Sequence, residues 1–93
     1  MACSLSCDEV ESIVVRVYRD QLDDPTITRF SRFGVGKEID IDAGARRAFF
    51  FPIKQNVDRL PNCIVAKLTP DGVESAKTVG DIIDAICKEF ADA

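Results

Sequence analysis

The last sixteen residues constrain this chain most. Val79, Ile82, Ile83, Ile86, Cys87 and Phe90 recur at i, i+3, i+4, i+7, i+8 and i+11, one apolar stripe of helical period. Thr78 stands just before the stripe and Asp81 three residues on, an Asp variant of the capping box. Asp81 and Asp84 come early and Lys88 late, as the helix dipole prefers. A stripe this wide must be covered, and no strand-like alternation elsewhere offers a sheet to cover it. The expected architecture is therefore all-α, a small helical bundle.

The other elements follow from caps and breakers. Val10, Ile13, Val14, Val17 and Tyr18 form a second helical stripe, with Asp8 as the expected N-cap. Pro25 ends this helix by Asp24, because the residue before a proline disfavours helical geometry. Residues 23–42 then form a long connector, and its Ile27, Phe30, Phe33 and Ile39 are expected to pack onto the bundle. Asp42 is the next cap, opening a helix from Ala43 to Leu60. Pro52 interrupts that helix at ~3 kcal/mol or more if it lies in the interior. Either the helix kinks at Phe51-Pro52, or a new helix starts with Pro52 in its first turn. Thr69-Pro70-Asp71 opens a short helix over about residues 70–76. Residues 1–7 read as a loose leader and residues 8–93 as one helical domain.

With 93 residues there is room for one core. The apolar share of 46% and charged share of 30% exclude a disordered chain. A net charge of −4 has the wrong sign for generic nucleic-acid binding. No run approaches the ~20 apolar residues of a membrane span. The leader Met1-Ala2-Cys3-Ser4-Leu5-Ser6-Cys7 lacks the basic and apolar regions of a secretory signal. These points, with Cys3, Cys7, Cys63 and Cys87 read as reduced thiols, predict a cytoplasmic protein. The cysteine spacing and the absence of histidine speak against a metal site and against Ser–His or Cys–His catalysis, so no enzyme activity is expected. Thiol chemistry at Cys63 is the remaining enzymatic reading. Asp40 and Asp42 are read as cap and solvated face rather than an acid–base pair. Gly34-Val35-Gly36-Lys37 lacks the spacing of a phosphate loop.

The order of elements resembles the acyl carrier protein family. The local match lies in Leu68-Thr69-Pro70-Asp71 through Ala76-Lys77-Thr78-Val79-Gly80-Asp81-Ile82-Ile83-Asp84-Ala85-Ile86. Asp23-Asp24-Pro25-Thr26-Ile27-Thr28 and Ser31-Arg32-Phe33-Gly34 resemble the family's first loop. The resemblance implies a four-helix bundle with a long first loop and a short third helix. It also locates a departure. The family attaches 4′-phosphopantetheine to the Ser of an Asp-Ser-Leu motif opening the second helix, and Asp42-Ala43-Gly44 stands there instead. Alanine offers no hydroxyl, so no cofactor is expected. The expectation is a binding module without the arm, recognising a protein partner or an apolar ligand through the second helix. The partner would be an acyl- or lipid-biosynthesis enzyme. The alternative is a genuine acyl or peptidyl carrier whose attachment residue is displaced to Ser31.

The second helix supplies the candidate site. Three successive aromatics, Phe49, Phe50 and Phe51, span roughly 300° of a helix at about 100° per residue, more than a thin bundle readily buries. Arg46, Arg47 and Lys54 lie beside them, where the family normally presents carboxylates.

Overall fold

A computed structural model describes residues 5–60 and 63–91, the side chain of Ala91 excepted. Among the described residues there are five helical segments: α1 (Cys7–Leu22), α2 (Ala43–Ala48), α3 (Phe50–Asp58), α4 (Pro70–Ser75) and α5 (Val79–Ala91). No strand forms among the described residues, only two isolated bridges, Arg32 with Thr78 and Phe33 with Ile39. The second and third segments meet at Phe49 and act as two halves of one bent rod, so the chain is an all-α bundle of four rods. Its principal packing is α1 on α5, α2 on α4 and α1 on α3.

The first helix starts earlier than expected. Ser6 is its cap, accepting from the Glu9 amide while the Glu9 carboxylate accepts from the Ser6 amide. Asp8 lies inside the first turn instead, where its charge suits the dipole. Residues 6 and 7 thus belong to the domain, and residues 1–4 of the expected leader lie outside the described residues. Val10, Val14, Val17 and Tyr18 are buried, and Val15 joins them. At the other end, Asp23 takes a left-handed conformation (φ 50°), so the chain turns off before Pro25.

Pro52 resolves in favour of a restarted helix. Its ring cannot donate to the preceding turn, and the rod breaks at Phe49, placing Pro52 third in α3. The break separates the aromatics. Phe49 stacks on Tyr18, 4.4 Å between centroids, and Phe50 enters the core beside it.

The long connector is packed, as expected of Ile27, Ile39 and the half-buried Phe33. Phe30 corrects that expectation: it is 77% exposed. The Ser31 carbonyl accepts from the Val79 amide at 3.1 Å and the Arg29 carbonyl from the Gly80 amide at 2.7 Å. These bonds lash the connector to the first turn of α5. Around Thr78 the expected box is present, with Thr78 Oγ1 accepting from the Asp81 amide and Asp81 Oδ2 from the Thr78 amide. Thr69 caps α4 and Pro70 is its first residue.

Tyr18 is fully buried, yet its hydroxyl has no hydrogen-bond partner among the described residues. Burial pushes its ionisation well above the usual phenol range. An unpaired buried hydroxyl costs about 1–3 kcal/mol. Tyr18→Phe keeps the ring stacking and removes that cost, so it is expected to stabilise the fold by about 1 kcal/mol in urea denaturation. A lowered midpoint would show that the hydroxyl is paired.

Candidate functional site

The six side chains proposed for the second helix do not act alike. Asp42 caps α2 through Oδ1, which accepts from the Ala45 amide at 2.8 Å, and Ala43 is the first helical residue. One turn on, Arg46 reaches inward. Its guanidinium donates to the carbonyls of Ile41 (2.9 Å) and Glu74 (3.2 Å), tying the start of α2 to the end of α4. Arg47 forms an ion pair with Asp71 at the start of α4. Lys54 donates to the Val65 carbonyl at 2.9 Å and to Asp58 at 2.6 Å. Asp58 in turn accepts from the Val65 amide at 2.8 Å. Burial opposes charge on Asp58, but the Lys54 ammonium and the Val65 amide outweigh it and hold the carboxyl below its ordinary range.

Arg46, Arg47 and Lys54 therefore tie the second rod to α4 and to the 63–68 connector. Of the aromatics, Phe49 and Phe50 are core, and Phe51 is 65% exposed. It meets the Phe50 ring edge-on at 5.4 Å. The structure thus narrows the expected patch to one displayed ring with the ion-paired Arg47 on the preceding turn.

Ser31 is buried at 5% exposure. Its Oγ accepts from the Thr28 amide at 2.9 Å, closing a turn. A phosphodiester needs a hydroxyl open to solvent, and this one is used inside the loop. Asp40 accepts from the Gly36 amide at 3.3 Å while Asp42 caps α2, so the two carboxylates serve separate turns. Gly34 and Gly36 have positive φ values of 140° and 73°, shaping a tight loop whose tip, Val35, is 91% exposed. No helix follows this loop directly, as a phosphate loop would require.

The cysteines differ from the expectation of four reduced thiols. Cys63 is buried and disulfide-bonded, which withdraws both the case for it as a nucleophile and the argument for compartment from reduced thiols. Cys3 lies outside the described residues. Cys7 and Cys87 are free thiols, and burial, aided by the neighbouring Cys7, pushes the Cys87 thiol up to about 12. Such a thiol is a poor nucleophile at neutral pH. Among the described residues no three His, Cys, Asp or Glu side chains gather as a metal set. No helix of the described residues is long and apolar enough to cross a membrane.

No protein-family model matches the chain, and neither a curated protein nor a solved structure matches it significantly.

Sequence reasoning missed a second cluster, on the outer side of α1. Glu11, Ser12, Arg16, Arg19 and Asp20 from that helix face Thr28, Arg29 and Phe30 of the connector across a groove of about 530 Å³. The usable signal was Arg16 and Arg19 at i and i+3 on the polar side of the first stripe.

Proposed function

We propose that the chain is a non-enzymatic binding module on a bundle that resembles the acyl carrier proteins, recognising a protein partner through its second helical rod and carrying no phosphopantetheine arm. One observation carries the reading: Phe51 stands 65% exposed at the break of that rod, held by the buried Phe50. A large aromatic displayed to solvent suits a protein interface, where such side chains act as anchors. The rod corresponds to the partner-facing helix of the resembling family. Where that family has its attachment serine, the first helical residue here is Ala43. The buried, hydrogen-bonded Ser31 weighs against a displaced arm. On this reading the partner is an enzyme of acyl or lipid biosynthesis.

Two measurements test it. Incubated with coenzyme A and a promiscuous phosphopantetheinyl transferase, the protein is expected to keep its apo mass. A gain of one phosphopantetheine would overturn the reading. A photo-crosslinking residue at position 51 is expected to capture an acyl-transfer or lipid-biosynthetic enzyme in host cells, while the same residue at position 35 does not. Equal capture from both positions would remove the second rod as the binding face.

A further inference from the structure

The connector turn at residues 28–31 is braced more heavily than a simple crossing requires. The Thr28 amide donates to Ser31 Oγ, the Phe30 amide to Thr28 Oγ1 at 3.2 Å, and the Ser31 amide to the Thr28 carbonyl at 3.1 Å. The Arg29 carbonyl holds the Gly80 amide at 2.7 Å. Glycine suits this approach, because a Cβ at position 80 would lie 3.0 Å from that carbonyl oxygen, closer than most side chains sit. The Arg29 guanidinium bridges Glu11 on α1 (3.1 Å) and Asp84 on α5 (2.9 Å). It also lies 5.9 Å from the centre of the Phe30 ring. All this bracing ends in one aromatic ring displayed to solvent.

The groove beside the ring has a definite electrostatic character. Val15 is the buried apolar residue of its α1 wall. Arg29 is offset by its two carboxylates. Arg19 is anchored through Nε, which donates to the Ile27 carbonyl at 2.8 Å. Its other guanidinium hydrogens, and all of those on Arg16, have no carboxylate partner among the described residues. Asp20 is the one unpaired acid lining the groove. Two guanidiniums without a carboxylate partner among the described residues, against one unpaired carboxylate, make this face locally cationic on a chain of net charge −4.

We propose that this groove between α1 and the 28–31 turn is a second docking surface, fitted to an acidic peptide segment of a partner protein. Carboxylates of the segment pair with Arg16 and the free edge of Arg19, where guanidinium geometry favours them. An adjacent apolar side chain packs between Phe30 and Val15. Bracing the turn in advance removes the ordering cost that a mobile loop would incur on binding. This surface lies on different residues from the Phe51 face and stands or falls separately from it.

The test is an NMR titration of the full chain with acetyl-Asp-Glu-Phe-Asp-Glu-amide, in parallel with acetyl-Asn-Gln-Phe-Asn-Gln-amide. The acidic peptide is expected to shift the amide signals of Ser12, Arg16, Thr28 and Phe30, and to bind at least tenfold more tightly than its neutral counterpart. Phe30→Ala and Arg16→Ala each change an exposed residue and leave the fold intact. Each is expected to weaken binding at least fivefold, and both together to abolish it. No shift at millimolar peptide, equal binding of the neutral peptide, or shifts centred elsewhere would overturn the proposal. So would Phe30-dependent binding to phosphatidylserine vesicles without binding of the peptide, since that would make the face a lipid contact. Phe51→Ala is expected to leave the titration unchanged.

Discussion

Ile83→Ala is expected to destabilise the bundle by about 2–5 kcal/mol, the range for deleting buried methyl groups that leave a cavity. Ile83 is 1% exposed and belongs to the main core cluster with Val14 and Ile53. A domain of this size holds only about 5–15 kcal/mol in total. With ~4–8 °C of midpoint per kcal/mol at this length, the thermal transition should fall by at least about 8 °C. Circular dichroism checks it. The control is Ala85→Ser, exposed two residues further along the same helix, which should move the midpoint little. Equal effects at both positions would mean that the stripe is not where the core lies.

Gly80→Val is expected to cost about 1–3 kcal/mol, the usual penalty for forcing atoms into an occupied space. Ordinarily a glycine within a helix is improved by substitution, since other residues gain up to about 1 kcal/mol of helix propensity. The sign reverses here because the added carbon meets the Arg29 carbonyl at 3.0 Å and the Arg29 guanidinium at 3.4 Å. A β-branched side chain cannot turn both methyls away from that contact. The 2.7 Å bond from the Gly80 amide should lengthen, and the turn bearing Phe30 should move with it. Chemical denaturation measures the cost, and peptide titration of the same variant measures the displaced turn. An unchanged or raised stability would show that the connector yields freely.

The two predictions mark where local pattern sufficed and where it did not. The stripe from Val79 to Phe90 and the Thr78–Asp81 box are local signals, and α5 forms where they direct it. The same holds for Asp42, Thr69 and Pro70. At the amino end, Ser6 and Asp8 are both competent caps, and the choice fell to Ser6 because Glu9 completes its box. The Phe49-Phe50-Phe51 run could be read only as too broad for one straight helix. The break at Phe49, which Pro52 imposes, lets two successive rings turn inward, but which two is a matter of tertiary packing. The basic residues were the least legible. Arg46 and Lys54 look like free partner-facing cations in sequence, yet they bond carbonyls of Glu74 and Val65, partners that no helical periodicity reveals. Phe30 was misjudged for the same reason, since residue type gives no direction to a ring in a loop. The resemblance to carrier proteins directed attention to the second rod, whereas the groove on α1 depends on long-range bonds to Gly80 and Asp84.

Those bonds also govern the order in which the molecule can be completed. Residues 29 and 31 close their main-chain contacts with residues 80 and 79, some fifty positions later. During synthesis, the first third of the chain must wait for α5 to emerge before its crossing segment can set. Until then the apolar side of α1 has lost its principal cover. Assembly of the bundle therefore waits on α5, and any chain shorter than residue 79 leaves the apolar side of α1 exposed.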